Sequence, residues 1–517
     1  MNINTGRPRP RPTTSCLPCR QRKVKCDRVH PSCSRCSSQG LQCQYAARRN
    51  IKFLQSTSPV EEPAVQEPAL PAAGVSDGNR YIGGTFWVLA HDNNPSDVKH
   101  VLQFARSPEP ILPLSELLQL RPRLPLKSQL DFFLESYFSS LQPLLLLVDP
   151  SRLRSQYDAF WTTQSPTPVS ELCLLFAALH TGAAVTAQAP QILEAAFCAL
   201  LDLSGFPASI SAATLPVLQA YLIYHSHRAT RPWCAFDFLP AAIRAGQHLG
   251  LHSEPPAGAE DAELRRQVWW HLAYLDAEYA IASGLPRMIH PDGFSTRMPK
   301  VPGMLQSRWE WTRRMQVWMG ARLPTPEDEA AFRRLCQELS REAQSDWERE
   351  YILLQADHAQ CVVAHRKLLN PDSSGVWDSV LQSACKSHLR RYLFLADAKH
   401  TPFHWFIPGF VRPQHPTLIL MLRLTHLTQY EPNTEMLETK ELLEKGFEIF
   451  DNLEPSHTDS RGGGGEAGLL CSLLARMRER IWEKAGWRLR KDDALFEYFD
   501  WNQWDAMVDK LFTASYQ

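Results

Sequence analysis

Beyond Tyr81 the chain reads as a succession of amphipathic helices. Apolar residues recur at spacings of three and four, alternating β-type runs are few, and prolines fall at segment ends. One helix is expected over 126–141, where Leu130, Phe133, Leu134, Tyr137, Phe138 and Leu141 form a stripe. Further helices are expected at 172–184, 215–225, 239–249, 261–282, 346–369, 376–396, 417–427, 435–452 and 469–485. A long uncharged run lies between Glu171 and Glu194 and contains His180, Thr181, Gln188 and Pro190. Those polar interruptions mark it as a buried bundle helix, not a membrane span. The fold class is therefore mostly α, with no internal repeat of solenoid length.

Before Tyr81 the pattern changes. Residues 46–80 are rich in Pro, Ala, Glu and Val, with Pro59, Pro63, Pro68 and Pro71 recurring, which predicts a flexible, partly extended linker. Those prolines, and the lack of sustained heptads, exclude a coiled coil of useful length. The tract Arg7-Pro8-Arg9-Pro10-Arg11-Pro12 cannot be helical and predicts an extended basic arm over 1–13, too polar for a signal peptide. Such an arm suits a phosphate backbone, a minor groove or nuclear import, or serves as an unstructured basic tail.

Charge sharpens this division. The 517 residues carry 55 basic and 55 acidic side chains, a net charge of zero. Residues 1–50, however, hold eleven Lys/Arg against the single acid Asp27, leaving 44 basic and 54 acidic residues elsewhere. A polyanion-binding head on an acidic body is the simplest reading. The 44% apolar content excludes a disordered chain, and the length predicts two or three structural units.

The head has its own chemistry. Six of thirteen cysteines, Cys16, Cys19, Cys26, Cys33, Cys36 and Cys43, follow the spacing C-x2-C-x6-C-x6-C-x2-C-x6-C. Each C-x2-C places two thiolates close enough to share one tetrahedral metal. Three thiolates per half is one short of a closed structural zinc site, and two zinc ions need eight ligand positions. Six sulfurs fill eight only if two of them bridge, so the spacing predicts a single Zn2Cys6 unit holding two Zn2+ ions. A region this small has almost no apolar core, so metal must supply its folding free energy.

The run Cys16-Leu17-Pro18-Cys19-Arg20-Gln21-Arg22-Lys23-Val24-Lys25-Cys26-Asp27, with Pro31 in the next loop, closely resembles the signature of fungal zinc binuclear cluster transcription factors. The resemblance implies that Cys16 and Cys33 bridge. The first zinc would then take Cys16, Cys19, Cys26 and Cys33, and the second Cys16, Cys33, Cys36 and Cys43. Arg20, Arg22, Lys23 and Lys25 would fan outward from a short helix toward phosphates and guanine edges in the major groove. Family members read CGG triplets with a lysine that corresponds to Lys23, flanked by Arg22. The resemblance also implies double-stranded DNA as partner, a nucleus-located regulator of RNA polymerase II transcription, and an activator more often than a repressor. With no coiled coil, monomeric binding or a homodimer through the helical domain replaces the usual dimer.

In the body, Leu249-Gly250-Leu251-His252, Arg265-Arg266-Gln267-Val268-Trp269-Trp270, Asp276 and Gly284-Leu285-Pro286 resemble the family's all-helical regulatory domain. Leu285 stands where the family usually has Arg. Tyr81-Ile82-Gly83-Gly84-Thr85-Phe86-Trp87 and residues 126–160 resemble its upstream blocks. Trp269 and Trp270 are expected in the core, and Arg265 and Arg266 in structural ion pairs. The expected organisation is an arm over 1–13, the Zn2Cys6 domain over 14–45, a linker over 46–80, the helical domain over 81–490 and an acidic–aromatic segment over 491–517. That last segment suits docking on coactivators, though a packed terminal helix is the preferred reading.

Enzymatic signatures are missing: there is no H-E-x-x-H, G-x-S-x-G or P-loop. The pattern Gly463-x-Gly465-x-x-Gly468 follows no strand and reads as a linker. Cys173, Cys198, Cys234, Cys336, Cys361, Cys385 and Cys471 form no ligand-spaced pair and read as buried thiols. Two competing readings are a zinc-headed helical scaffold or ligand-binding protein without sequence-specific DNA binding, and a thiolate-based metal buffer or redox sensor.

Overall fold

The structure is a computed structural model. It describes residues 108–487 apart from 187, 189, 229–236, 321–322, 369–375, 398–402, 404, 407–412, 429–432 and 454–465. Ahead of these it describes 75–76, 81–82 and, in the cysteine region, 16, 18–19, 22, 24–27, 32–40 and 43. The basic arm, most of the linker, the 491–517 segment and the Gly462–465 run lie outside the described residues. The chain divides into two compact units, Met1–Leu70 and Pro71–Gln517.

The second unit is built from helices, as the apolar spacing predicts. In chain order they are α1 Leu114–Leu120, α2 Lys127–Ser136, α3 Pro150–Thr162, α4 Val169–Val185, α5 Gln191–Ser204, α6 Leu215–Arg228, α7 Leu239–His248 and α8 Ala262–Ser283. They continue with α9 Met304–Trp318, α10 Pro326–Arg341, α11 Asp346–Leu368, α12 Val376–Leu395, α13 Gln414–Leu427, α14 Thr434–Leu453 and α15 Glu466–Lys484. Two short antiparallel pairs are the described β-structure. Val75 and Ser76 face Ile82 and Tyr81, and Ile111 and Leu112 face Pro168 and Thr167.

α4 is the centre of the first half of this unit. Every residue from Val169 to Ala183 except Glu171 is buried, which explains the long uncharged run. It packs against α2, α5 and α6. Gly182 permits this: a Cβ there would collide with the main-chain carbonyl of Phe133 and approach the amide nitrogen of Tyr137. A glycine on a helix face is otherwise unfavourable, so close backbone approach is its purpose. No helix among the described residues is long and apolar enough to cross a membrane.

The helix expected over 126–141 is broken in form. After α2 the chain makes one wide π-turn over Tyr137–Leu141 and then a short α-helix, Gln142–Leu145. Pro143 lacks the amide a regular continuation needs, and the Ser136 and Ser139 hydroxyls donate to the Phe132 and Ser136 carbonyls at 2.8 and 3.3 Å. Gln142 steadies the exit: its side-chain amide donates to the Val148 carbonyl at 2.7 Å.

The second half centres on α11, which lies against α9, α10 and α12. Arg308 of α9 is buried, with its guanidinium over the rings of Tyr274, Tyr351 and Phe406 at 5.0, 5.4 and 5.1 Å. Its Nε donates to the Tyr351 hydroxyl at 2.9 Å and its Nη1 to the Leu144 carbonyl, joining the two halves of the unit. Nearby, His358 of α11 meets His388 of α12 at 5.6 Å between ring centroids, and His365 meets His415 of α13 at 4.6 Å. The buried thiols Cys361 and Cys385 stand 3.6 Å apart. Twenty-four residues separate them, so only the antiparallel packing of two helices reveals the pair.

A candidate metal centre in the N-terminal unit

The six cysteines converge. Cys16, Cys33, Cys36 and Cys19 are buried, while Cys26 and Cys43 are half-buried at the edge. Their apolar cluster consists of cysteines alone among the described residues. Local structure places the sulfurs. The chain makes a helical turn after Cys16, with Arg22 N donating to Pro18 O at 3.1 Å and Val24 N to Cys19 O at 3.0 Å. The second half repeats this with a short helix, Ser34–Ser37, which Cys33 caps by accepting from the amide of Cys36 at 3.4 Å. Cys33 N in turn donates to Cys43 Sγ at 3.4 Å, and Asp27 accepts from Ser34 N at 3.1 Å. Amide donors aimed at sulfur favour the thiolate that a metal requires.

Two overlapping tetrads result. Cys16, Cys19, Cys26 and Cys33 form one, and Cys16, Cys33, Cys36 and Cys43 the other; within each, the sulfurs all lie within 4.8 Å of one another. Cys16 and Cys33 belong to both. A zinc–sulfur bond of about 2.3 Å implies tetrahedral S···S edges of about 3.8 Å. The observed separations are 3.7 Å for Cys16–Cys33 and 3.8 Å for Cys16–Cys26, and 3.7 Å for both Cys16–Cys36 and Cys19–Cys33. The donor set and spacing fit a tetrahedral thiophilic ion. Burial pushes the Cys16 and Cys36 thiols up, the latter to about 12, so metal binding at these sulfurs must displace protons.

Of the four cations expected to face DNA, Arg22 and Lys25 are exposed, and Arg20 and Lys23 lie outside the described residues. Arg22 Nη1 donates to Gln39 Oε1 at 2.6 Å, which joins the first helical turn to the second half of the cluster. Sequence reasoning did not single out Gln39 or the Asp27 contact; their positions beside cysteines were the only signal.

In the helical unit Trp269 and Trp270 are buried, and Trp270 Nε1 donates to the carbonyls of Thr296 and Arg297 at 3.2 and 3.0 Å. Arg265 pairs with Asp261 at 2.6 Å, and Arg266 with Glu254 and Glu263 at 2.5 and 2.9 Å. Hydrogen bonds from Arg266 and Arg297 hold the Glu254 carboxyl low, at about 2. Asp276 accepts from the amides of Met288 and Ile289 at 3.0 and 2.8 Å, fixing the return after Gly284, whose φ of +69° ends α8. Leu285 is exposed in that return. These motif residues thus build scaffold.

Comparison with known proteins agrees with this division. The family model described as the fungal Zn(2)-Cys(6) binuclear cluster domain matches residues 14–51, and that of the fungal specific transcription factor domain matches 134–310. The block from Tyr81 to Trp87 lies ahead of the second match. Transcription factor macR of Penicillium terrestre is 30% identical over 240 residues, covering 40% of this chain and 28% of that protein. Transcription factor yanR of Aspergillus niger is 28% identical over 249 residues, covering 40% of this chain and 29% of that protein. The pyrrolocin cluster transcription factor fsdR of Fungal sp. is 22% identical over 438 residues, covering 58% and 56%. The chain therefore spans less than a third of the first two relatives. The family is one of transcription factors, not of enzymes. With its cysteine cluster and its helical domain both matched, the chain belongs to the fungal Zn2Cys6 transcription factors.

Proposed function

We propose that the N-terminal unit binds two zinc ions and uses the loaded cluster to read double-stranded DNA at CGG-type sites in the nucleus. Cys16, Cys19, Cys26 and Cys33 hold one ion, and Cys16, Cys33, Cys36 and Cys43 the other. Zinc supplies the folding free energy that this unit lacks and fixes the thiolates as tetrahedral ligands. The observation that carries the reading is the pair of tetrads sharing Cys16 and Cys33, with Arg22 and Lys25 exposed beside them. Arg22 and Lys25 meet phosphate, while Lys23 and Arg20 reach base edges or phosphate. The helical unit controls activation of RNA polymerase II transcription, through coactivator contacts or a homodimer formed by that unit. Pathway-specific control of a gene cluster is consistent with the name of the fsdR relative.

Site selection from random duplexes with the zinc-loaded full chain, at fixed ionic strength, tests this. Enrichment of CGG sites is expected, lost in Cys26→Ala and relaxed in Lys23→Ala. Arg22→Ala should weaken all sequences alike and reduce the salt slope by about one phosphate's contribution, ~0.9. Salt-sensitive binding without sequence preference would instead favour the zinc-headed scaffold.

A further inference from the structure

The two halves of the cysteine cluster share one spacing, so each position in the first half has an equivalent in the second. Arg22 stands three residues after Cys19, and Gln39 three residues after Cys36. These equivalent positions touch: Arg22 Nη1 donates to Gln39 Oε1 at 2.6 Å. The runs that carry them differ in charge. Arg20-Gln21-Arg22-Lys23-Val24-Lys25 holds four cations, whereas Ser37-Ser38-Gln39-Gly40-Leu41-Gln42 holds none. A second cation at position 39 would meet Arg22 as a like charge, while the carboxamide meets it as a neutral acceptor.

Both partners sit on turns tied to cluster cysteines. Arg22 N donates to Pro18 O at 3.1 Å, and the next turn closes with Val24 N on Cys19 O at 3.0 Å. Gln39 N donates to Cys36 O at 3.2 Å, in the turn that ends the helix Ser34–Ser37. Both residues are exposed, and among the described residues no carboxylate pairs with Arg22. The single acid of residues 1–50, Asp27, accepts from Ser34 N at 3.1 Å. A guanidinium carries five N–H donors in one plane. The contact with Gln39 uses one of them, leaves the charge intact and restricts how that plane turns.

We propose, resting on the DNA-binding reading of the N-terminal unit, that Gln39 is a positioning residue for Arg22. It holds the guanidinium across the two halves of the cluster and presents the remaining donors, already ordered, to one backbone phosphate. A free arginine loses rotamer freedom when it meets phosphate, and ordering one such side chain changes Kd by about two- to tenfold. Gln39 removes part of that loss before DNA arrives, without touching DNA itself.

The test is a double-mutant cycle in the zinc-loaded full chain, with Kd for a CGG duplex measured by fluorescence anisotropy over a range of salt concentrations. Gln39→Met keeps the side-chain length and removes the acceptor. It should weaken binding by about two- to tenfold with the salt slope unchanged, because the phosphate contact is still made. In an Arg22→Ala background the same substitution should leave Kd where it was. Gln39→Glu keeps an acceptor oxygen but neutralises Arg22, and should lower the slope as Arg22→Ala does. Zinc content should be equal in all variants. If the wild type binds the duplex, then unchanged or tighter binding by Gln39→Met, or a loss that persists without Arg22, would overturn the role of Gln39 alone. A wild type that binds no duplex would overturn the DNA-binding reading and the role of Gln39 with it.

Discussion

The buried imidazoles of the helical unit predict a steep loss of stability in mild acid. His271 is 2% exposed, and burial, aided by the nearby Arg308 cation, holds its pKa down at about 3. His388 is 1% exposed, neither ring nitrogen has a partner, and burial with His358, His415 and Arg391 around it lowers it well below the usual value. In the unfolded chain both titrate near pH 6.5. Between that pH and the folded pKa values the unfolded state binds more protons, so stability rises with pH there and falls on acidification. At pH 5.5 each group favours unfolding by RT ln 10, roughly 1–2 kcal/mol, relative to pH 7.5. The two together cost about 3 kcal/mol, a large share of a typical 5–15 kcal/mol. His415, lowered to about 3 chiefly by burial, adds in the same direction.

Carboxylates do not confuse this window. Glu254, held at about 2, contributes stability that is lost only as pH falls below about 4.5. Asp276 and Asp357 are raised by burial, so they oppose the histidines and flatten the slope toward their own titration range. All fifteen tryptophans lie beyond residue 80, so tryptophan fluorescence reports the helical unit alone. Urea unfolding followed this way at pH 7.5 and 5.5 should show the predicted loss, and His388→Leu should reduce it by roughly 1–2 kcal/mol. Equal stability at the two pH values, or a His388→Leu variant with the full wild-type loss, would refute the reasoning.

Other predictions concern single contacts. Cys43→Ser removes a ligand from one tetrad and Cys33→Ser from both, so zinc content of the purified protein should fall partly in the first and nearly completely in the second. Arg308→Met leaves the Tyr351 hydroxyl and the Leu144 carbonyl without their donor and should cost about 3 kcal/mol in urea unfolding, with Arg308→Lys recovering little of it. Gly182→Ala sets a methyl group against main-chain atoms that cannot rotate away, and should destabilise by about 3 kcal/mol or prevent folding, as read by helical circular dichroism and urea titration.

The sequence was most legible where one rule acted alone. Cysteine spacing pointed to one six-sulfur unit, because six ligands within 28 residues lie close enough to share two ions, while which sulfurs the two tetrads share came from the family resemblance. Expected helices such as 346–369 and 376–396 end within a residue or so of α11 and α12, since a 3.6-residue period over five turns is a strong signal. α9 and α10 escaped notice because Arg308, Arg313, Arg314 and the acids of α10 break the apolar stripe. Thr325-Pro326 followed by Asp328 was a readable start for α10: the structure shows a capping box, with Thr325 Oγ1 accepting from Asp328 N at 3.2 Å and Asp328 Oδ2 accepting from Thr325 N at 3.0 Å. What periodicity could not give was tertiary pairing. Arg308 finds Leu144 across 164 residues, and Gln156 finds no partner at all, facts that depend on how helices cross.

The two units are stabilised by different physics, and this has a measurable consequence. The helical unit carries one contiguous apolar core drawing on residues from Leu112 to Trp482. Among the described residues the N-terminal unit buries only its cysteines, so on the zinc reading its stability is the metal-binding free energy, typically about 10–16 kcal/mol for structural zinc in small domains. Chelation should therefore expose the six cluster thiols to a thiol-reactive dye and abolish DNA affinity. The tryptophan-reported unfolding transition should stay where it was, because none of its core residues depends on zinc. Buried thiols such as Cys336 and Cys361 should remain unreactive under the same treatment, since burial both shields them and raises them above the pH at which thiolates form. A chelator-induced shift of the tryptophan transition would mean that the helical unit draws stability from the metal, contrary to the separation of the two cores.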